Sequence, residues 1–293
     1  MGFVYLNGRI VPEDEAVVSV DDRALLFGDG AYETMRSYSA RFFRFPDHLR
    51  RLRETLAGMR LELPVSDADI TRGAEDLLAA NALPDARLRL TVTGGRFRGE
   101  IRLRRTDPPN LVMTARPLGV PDPGVYRTGV AVVTSPWRVH SVSPLPRIKT
   151  VNRLRHLMAK EDALARGAWD ALFCDEAGNL LEGTATNVFF VVDGVLCTPS
   201  LDGPLLAGVT RDAVLELARS QGVPFREGPL PLARAAAAAE GFLTSTTIEL
   251  LPVTTLDAGT VGTGRPGPVW RTLAAAYRRL VTAETGVPRP DLT

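Results

Sequence analysis

Residues 146–154 read "PRIKTVNRL" and contain Lys149, one of only two lysines in a chain with 35 basic residues. The other lysine is Lys160, and every remaining basic residue is an arginine. Arginine stays protonated under all accessible conditions, whereas a desolvated lysine amine can lose its proton and attack a carbonyl carbon. Taken alone, Lys149 is most simply a surface residue of an arginine-rich chain. Whether Lys149 has a catalytic role therefore depends on the other sequence motifs of the chain.

The composition is that of a soluble globular protein with little reactive chemistry of its own. Over 293 residues, 45% are hydrophobic and 24% are charged, and the formal net charge is +1. This balance favours neither nucleic-acid nor membrane binding, and no apolar run is long enough to span a bilayer. Cys174, Cys197 and three scattered histidines lack metal-ligand spacing, so no metal site is predicted. The first residues lack the pattern of a secretory signal. We expect a cytoplasmic enzyme that depends on an organic cofactor.

The hydrophobic patterning predicts an α+β fold in two domains. Asn7-Gly8 between two apolar runs predicts a hairpin, and strand-like and helix-like segments follow without regular βαβ alternation. The Pro- and Gly-rich stretch "GVPDPGVYRTG" predicts a boundary near residue 120. Later in the chain we expect a helix over residues 232–241 and one continuous strand over residues 241–253. The predicted parts are a small N-terminal α/β domain (1–119), an interdomain linker (120–132) and a larger C-terminal domain (133–293).

Glu182 opens the segment "EGTATNVFF", in which a glycine and a small polar run separate the carboxylate from the next apolar stretch. A solvent-facing glutamate at a strand edge is the common explanation of such a pattern. The functional alternative is a carboxylate that contacts a pyridine nitrogen and keeps that nitrogen protonated. The sequence segment alone leaves both interpretations open.

Three segments have the chemistry of a phosphate site. Val209 and Thr210 follow Gly208 at a predicted helix start, where free amides and the helix dipole favour an anion. A run of hydroxyls at residues 244–247 ends an apolar strand. Arg51 offers a fixed fork for phosphate oxygens, but it lies among three arginines of which at least one is expected to cover the surface. Each segment also has an ordinary structural explanation as a cap, a strand or a surface charge.

Taken together, these segments resemble the fold-type IV pyridoxal phosphate (PLP) enzymes, also called class IV aminotransferases. The family includes branched-chain aminotransferases, D-amino acid aminotransferases, (R)-amine transaminases and aminodeoxychorismate lyases. Six segments occur in family order, which makes the resemblance specific: "FGDGAYETMR", "HLRRL", "IKTVNRL", "LEGTATNVFF", "GVTRD" and "TSTTIELLPV". The resemblance runs from about residue 3 to residue 280. It implies PLP as cofactor, a homodimer, and a C-terminal PLP-binding domain with a mixed-sheet, barrel-like core.

The resemblance also implies a role for each matching residue. Lys149 is expected to carry PLP as an internal aldimine and to act as the catalytic base. Glu182 is expected to contact the pyridine nitrogen. The residues expected to bind the cofactor phosphate are Arg51, Val209, Thr210, Ser245 and Thr246.

The substrate-binding residues are implied less directly. Tyr32 lies where D-amino acid enzymes carry a pocket tyrosine. Arg96 and Arg98 fall near the loop with which those enzymes capture the α-carboxylate, although the arginine-x-histidine pair of that loop is absent here. Either arginine is equally well explained as a solvent-facing loop residue. Leu154 stands where branched-chain enzymes place a tyrosine five residues after the lysine.

The implied activity is PLP-dependent transamination. The amino group would pass from an amino acid of D or branched-chain type, or from an (R)-amine, to a 2-keto acid acceptor. An alternative is 4-amino-4-deoxychorismate lyase, which uses the same lysine for a β-elimination that releases pyruvate. The segment "KTVNRL" resembles the lyases as much as the transaminases, whereas Glu33 resembles the transaminases.

Overall fold

The computed structural model describes residues 2–119 and 121–289; position 120, where the predicted linker begins, and the two chain ends lie outside the described residues. The chain forms two compact units, which are Met1–Gly119 with Ile148–Asn152, and Val120–Arg147 with Arg153–Thr293. This division differs from the one expected from the sequence. The segment Ile148–Asn152 belongs to the first unit, and residues 121–132 are part of the second unit rather than a separate linker.

The first unit is built on a six-stranded antiparallel sheet. Its strands are β1 (Phe3–Leu6), β2 (Arg9–Pro12), β3 (Gly30–Tyr38), β4 (Arg41–Phe42), β5 (Ala86–Thr93) and β6 (Leu111–Pro117). Their spatial order is β2-β1-β6-β5-β3-β4. The predicted hairpin is confirmed, because β1 pairs with β2 and the turn residues Asn7 and Gly8 have φ angles of 50° and 89°. Two positive φ angles are typical of the type I′ turn that Asn-Gly favours.

The described part of the unit also contains three α-helices, and the second and third of them pack on one face of this sheet and form the core of the unit with it. In chain order, the three are α1 (Arg23–Phe27), α2 (Phe45–Gly58) and α3 (Asp67–Ala80). The core joins Leu49 and Leu52 of α2 to Leu88 and Leu90 of β5. Because side chains alternate along a strand, Arg87 and Arg89 of β5 lie on the opposite, non-core face. The sheet therefore has one apolar face and one face that carries basic side chains.

The segment Ile148–Asn152 joins the first unit through backbone pairing with β3. Thr150 forms a bridge with Ala31, and the Val151 amide donates to the Gly30 carbonyl at 2.9 Å. The Tyr32 amide in turn donates to the Lys149 carbonyl at 2.9 Å. Long-range hydrogen bonds of this kind cannot be read from local composition, which explains why the sequence pattern placed Lys149 in the other domain.

The second unit contains a nine-stranded mixed sheet. Its strands are β7 (Val130–Thr134), β8 (Asp170–Cys174), β9 (Leu180–Gly183), β10 (Asn187–Val192), β11 (Val195–Thr198), β12 (Phe225–Glu227), β13 (Glu240–Ser245), β14 (Glu249–Leu256) and β15 (Gly259–Thr260). The order is β12-β11-β10-β13-β14-β7-β8-β9, and β15 pairs with β14. One further pairing joins β9 to β10 through Glu182 and Asn187. The expected mixed sheet is therefore present, and its β9–β10 pairing holds Glu182 next to Asn187.

The helices of the second unit are α4 (Gly124–Thr128), α5 (Leu154–Ala165), α6 (Val209–Ser220), α7 (Leu232–Ala236) and α8 (Pro268–Thr285). The predicted helix over residues 232–241 was too long. It ends early because the Ala239 amide donates to the Val191 carbonyl, and Glu240 already begins β13. Across the described part of the chain, no helix has the length and apolar character needed to cross a membrane.

The single strand predicted over residues 241–253 is instead a hairpin of β13 and β14. Ser245 pairs with Glu249, and the chain reverses between them. Glu249 adopts a left-handed conformation with φ 56°, which is unusual for a residue other than glycine. Its buried carboxylate accepts a hydrogen bond from Arg289 at 2.9 Å and lies 3.8 Å from the Arg278 guanidinium. The threonine-rich composition favours strands and therefore conceals this turn.

Candidate active site

Lys149 is held at a fixed place in the first unit. Its backbone amide donates to Thr55 Oγ1 at 3.3 Å, and its carbonyl accepts from the Tyr32 amide. The Lys149 Nζ lies 4.8 Å from the centroid of the Tyr32 ring. The Lys149 side chain is half-buried, and Tyr32 is buried. The structure thus brings together two residues that the sequence nominated separately, one for catalysis and one for substrate binding.

A buried charge network surrounds Arg51. The Arg51 Nε and Nη2 atoms donate to the two oxygens of Glu33, each at 2.8 Å, and His48 Nδ1 lies 2.9 Å from Glu33 Oε2. Burial alone raises the pKa of the Glu33 carboxyl, but the Arg51 guanidinium and His48 bring it well below its usual value. For His48, burial lowers the pKa and the charges of Arg51 and Lys149 lower it further, against the opposing effect of Glu33. A neutral His48 thus faces an ionised Glu33 and a charged Arg51.

The structure distinguishes the three neighbouring arginines that the sequence left equivalent. Arg50 is exposed and pairs with Asp47 at 2.8 Å. Arg53 donates to the Leu63 carbonyl at 2.9 Å and fixes the connection after α2. Only Arg51 of the three is buried. The guanidinium nominated for phosphate binding is therefore the one whose orientation is fixed by a buried carboxylate.

In the second unit, backbone groups orient Glu182. The Leu206 amide donates to Glu182 Oε2 at 3.0 Å, and Asn187 Nδ2 donates to the Leu206 carbonyl at 3.0 Å. The backbone N–H and C=O of Leu206 are thus held by two side chains that the sheet pairs directly across β9 and β10. The Glu182 carboxylate is accordingly held in one orientation by a backbone donor.

Asp170 fixes the turn that follows Glu182. Its buried carboxylate accepts hydrogen bonds from the hydroxyls of Thr184 at 2.5 Å and Thr186 at 2.9 Å, and from the Thr184 amide at 3.2 Å. Sequence reasoning missed Asp170, because the residue lies 12 positions before Glu182 and has no local motif of its own. Only the pairing of β8 with β9 brings it to the turn.

The start of α6 has the features of an anion site. Gly208 precedes the helix in extended conformation and provides no side-chain cap, so the amides of Val209 and Thr210 remain at an open helix end. A Cβ atom on Gly208 would lie 1.9 Å from Asn187 Oδ1, so only glycine fits beside that amide. Arg211 is almost fully buried and donates to Glu227 at 2.6 Å, which anchors the first turn.

The β13–β14 hairpin presents the second set of predicted phosphate ligands. Ser245 ends β13 and Thr246 lies in the turn. The hydroxyl of Tyr126 donates to the Ile248 carbonyl at 3.0 Å and fixes the far side of the turn. Among the described residues, the buried Thr244 hydroxyl has no hydrogen-bond partner. Buried hydroxyls normally have partners, so a water molecule or a ligand group is expected beside Thr244.

Arg96 and Arg98, the predicted carboxylate ligands, lie on the loop after β5. Arg96 pairs with Asp21 at 2.9 Å and Arg98 pairs with Asp107 at 2.8 Å. The Arg96 and Arg98 side chains are 49% and 57% exposed. Binding a substrate through either guanidinium would require that existing ion pair to be broken or shared.

The described residues contain no group of histidine, cysteine, aspartate or glutamate side chains that could hold a metal ion. The donors present instead fit PLP. A fixed primary amine is available at Lys149, and an ionisable carboxylate with a fixed orientation is available at Glu182. The open start of α6, the Thr210 hydroxyl and Arg51 are donors suited to a phosphate.

Comparison with known proteins identifies the family of the chain. The family model for class IV aminotransferases matches residues 30–256. A Methanocaldococcus jannaschii protein, provisionally named a branched-chain-amino-acid aminotransferase, is 33% identical over 95% of this chain and 96% of its own. A D-alanine aminotransferase from Bacillus licheniformis is 30% identical, with 96% of this chain and 98% of the relative covered.

A solved structure with the same fold was determined with a cofactor derivative. The branched-chain amino acid aminotransferase of T.th., complexed with N-(5'-phosphopyridoxyl)-L-glutamate, matches with a TM-score of 0.89 and 28% identity. The match covers 99% of this chain and 96% of that structure. The expected α+β fold of this enzyme class is therefore confirmed. The chain belongs to the class IV aminotransferases and is an enzyme whose cofactor is pyridoxal phosphate.

Proposed function

We propose that this aminotransferase passes an amino group between an α-amino acid and a 2-keto acid, with Lys149 as the catalytic residue. The observation that carries the proposal is the fixed Lys149 amine, 4.8 Å from the centroid of the buried Tyr32 ring. Relatives named for D-alanine and for branched-chain amino acids support an amino-acid donor. The same relatives leave the enantiomer and side chain of the donor open.

We propose a role in cofactor binding for each of these residues. Glu182 would accept the proton-bearing pyridine nitrogen, and Lys149 would bond to the aldehyde carbon. The phosphate would be bound by Arg51, by the amides and hydroxyl at Val209 and Thr210, and by Ser245 and Thr246. When bound, PLP supplies an aldehyde that condenses with amines and a ring that withdraws electrons from the substrate α-carbon.

Residues of the chain itself would transfer the proton of the donor α-carbon. Lys149 Nζ would accept the proton that leaves the donor α-carbon, since a lysine amine that has lost its own proton can act as a general base. The Tyr32 ring stabilises the resulting ammonium, since an aromatic face attracts a cation. The Leu206 amide orients the Glu182 carboxylate, and Asp170 fixes the turn beside it.

We further propose that two copies of the chain form a homodimer. Both units expose large apolar side chains that a single copy leaves in water. Leu25 is 70% exposed on α1 of the first unit, and Leu154 and Leu157 are 65% and 61% exposed on α5 of the second. Contiguous exposed apolar residues are typical of subunit interfaces. Mass measurement by light scattering should give twice the chain mass of 31.7 kDa.

We also propose that the enzyme works in the cytoplasm. Cys174 and Cys197 are both free and buried, so the structure contains two thiols that are not used for a disulfide. Reduced cysteines are typical of proteins in a reducing compartment. Fractionation of the source cells, with the activity followed in each fraction, tests this location.

A half-reaction screen tests the activity. The PLP form of the enzyme is mixed with single D- and L-amino acids and with (R)- and (S)-amines, and its conversion to the pyridoxamine form is followed by absorbance. We expect at least one amino acid to convert the cofactor, and a 2-keto acid to restore it. Pyruvate release from 4-amino-4-deoxychorismate, with no response to any amino donor, would instead identify the lyase and overturn the proposal. The Lys149→Ala variant is the negative control.

A further inference from the structure

We propose that Glu249, Arg278 and Arg289 are positioning residues, which hold the turn between β13 and β14 in the conformation that binds the cofactor phosphate. The inference rests on the proposed phosphate-binding role of Ser245 and Thr246. It adds no phosphate ligand to that proposal, because it concerns the support of the turn backbone. All five residues belong to the second unit.

The turn has an unusual backbone conformation at its end. Ser245 pairs with Glu249 across the hairpin, so residues 246–248 alone connect the two strands. Glu249 has a φ angle of 56°, in the left-handed region that glycine adopts at much lower cost than other residues. A residue other than glycine keeps such a conformation only where the surrounding structure imposes it. The contacts of the Glu249 side chain therefore bear directly on the shape of the turn.

Two arginines from the C-terminal part of the chain contact the buried Glu249 carboxylate. Arg289 Nη2 donates to Glu249 Oε1 at 2.9 Å, and Arg278 Nε lies 3.8 Å from Glu249 Oε2. Arg278 belongs to α8, and Arg289 follows the end of that helix. Buried charges are only weakly screened by solvent, so the loss of one partner leaves the others poorly compensated. The carboxylate at the end of the turn is thus held by charges that lie outside the hairpin.

The helix that carries Arg278 is itself bonded to both strands of the hairpin. Trp270 Nε1 of α8 donates to the Leu250 carbonyl of β14 at 3.2 Å. The amides of Val269 and Trp270 donate to the buried Glu240 carboxylate, at the start of β13, at 3.0 and 2.9 Å. These bonds fix α8 against the sheet. Arg278 therefore contacts Glu249 from an element that is attached to the same two strands.

The position of the turn determines where its hydroxyls lie. Ser245 and Thr246 are half-buried, whereas the carboxylate of Glu249 is buried. Hydrogen bonds from hydroxyls to oxygen have donor–acceptor distances of about 2.5–3.0 Å, so a small displacement of the backbone is enough to lose them. We therefore expect affinity for the phosphate to depend on Glu249 and its arginine partners, although they are not proposed to contact it.

The test compares binding of PLP with binding of pyridoxal, which lacks the phosphate. Arg289 is substituted first, because its side chain is 21% exposed and that of Arg278 is only 5% exposed. For Arg289→Met we expect the dissociation constant of PLP to rise about tenfold, the lower end of the losses seen when supporting residues are removed from metal sites. The dissociation constant of pyridoxal should change much less. Arg289→Lys keeps the charge and should restore part of the affinity.

A second variant separates the conformation of the turn from its support. Glu249→Gly accepts the left-handed backbone without strain but removes the carboxylate. It should show the same selective loss of PLP affinity as Arg289→Met. The phosphorus NMR signal of bound PLP should also move in both variants, because it reports on the hydrogen bonds at the phosphate. Thermal unfolding of the cofactor-free proteins shows whether each variant is folded at the temperature of the titrations.

Arg279→Met is the matched control, because Arg279 is an exposed arginine of the same helix as Arg278. It should bind PLP as the unmodified enzyme does. Equal losses for PLP and pyridoxal, or unchanged PLP affinity in Arg289→Met, would overturn the inference.

A separate variant tests the proposal on which the inference rests. Ser245→Ala combined with Thr246→Ala, with Glu249 and both arginines intact, should lower PLP affinity and leave pyridoxal binding nearly unchanged. No loss of PLP affinity in this double variant would show that the proposed phosphate-binding role is itself wrong. That result is distinguishable from a failure of Arg289→Met alone, which would leave the phosphate ligands in place and remove only their proposed support.

Discussion

The two units hold their candidate cofactor ligands by different physical means. In the first unit, the candidate ligand Arg51 is fixed by other buried ionisable groups, Glu33 and His48. In the second, the Leu206 amide orients Glu182, and an open helix start at Gly208 provides further amides. A network of charged side chains is destabilised by a change of pH or by the loss of one partner. Backbone donors keep their charge and are lost only when the backbone moves. Substitutions should therefore affect the two units in different ways.

The largest loss of activity is expected for a substitution of Lys149, because no other group in either unit can supply its amine. Lys149→Arg keeps the positive charge but removes the amine that can lose a proton, so kcat should fall by about 10⁴-fold or more. Lys160→Arg is the matched control, because Lys160 donates to the Trp169 carbonyl and lies 5.2 Å from the Trp169 ring centroid. Steady-state rates of both variants with the best donor measure the difference. Substantial turnover by Lys149→Arg would contradict the assignment.

Removal of one partner from the network of Glu33, His48 and Arg51 should destabilise the folded first unit. Glu33→Gln leaves the Arg51 charge buried without its carboxylate, so we expect the free energy of unfolding to fall by about 3–5 kcal/mol. Denaturant titration of the cofactor-free protein measures this change. Because the two side chains form one network, Glu33→Leu combined with Arg51→Leu should be more stable than Glu33→Gln alone. Equal stabilities of the single and double variants would show that the network is not coupled.

The amides at the start of α6 should lose affinity for PLP when the backbone is displaced, rather than when a charge is removed. Gly208→Ala places a Cβ atom 1.9 Å from Asn187 Oδ1, so the start of α6 has to move. We expect the affinity for PLP to fall about tenfold or more, since the amides no longer point at the phosphate. Binding of pyridoxal, which lacks the phosphate, should change much less. Gly228→Ala is the control, because its Cβ atom would meet nothing within 4 Å.

The smallest effect expected concerns the pH dependence of the first unit. Burial lowers the pKa of His48 below its ordinary value of 6.5, so the unfolded chain binds a proton that the folded one excludes. The free energy of unfolding should then decrease below about pH 6.5, by at most about 1.4 kcal/mol per pH unit. The lowered pKa of Glu33 adds a further loss below its ordinary value of 4.5, because the folded carboxylate resists protonation.

Unfolding curves of His48→Gln over this pH range test the assignment. The decrease below about pH 6.5 should flatten in the variant, since glutamine does not titrate. His140→Gln is the control, because the His140 side chain is 81% exposed. Parallel pH profiles for His48→Gln and the unmodified protein would show that another group is responsible.

The sequence nominated the candidate ligands whose chemistry resides in a side chain. Lys149, Glu182 and Thr210 could be nominated from residue type and motif order, and the structure gives each a fixed environment. Arg51 could be nominated but not separated from Arg50 and Arg53, because only the orientation of α2 decides which of the three is buried. Helical periodicity contained part of that answer, since His48 and Arg51 share one face of the helix.

The contributions of backbone and topology could not be predicted. The Leu206 amide has no sequence signal, and Asp170 reaches its turn only through strand pairing. The hairpin after Ser245 was missed because a threonine-rich run favours extended structure and its left-handed residue is Glu249 rather than glycine. Non-local hydrogen bonds decided each of these features, and a linear pattern contains no information about them.

The discontinuous first unit has a consequence for biosynthesis. The edge of β3 near Gly30 receives its partner only when residues 148–152 have left the ribosome. Until then the nascent chain displays uncovered strand amides, which are templates for association with other chains. In a fragment that stops at residue 119, this edge of β3 would remain unpaired. Production of the N-terminal unit by itself should therefore require the segment around Lys149 to be grafted back, for example through a short flexible linker.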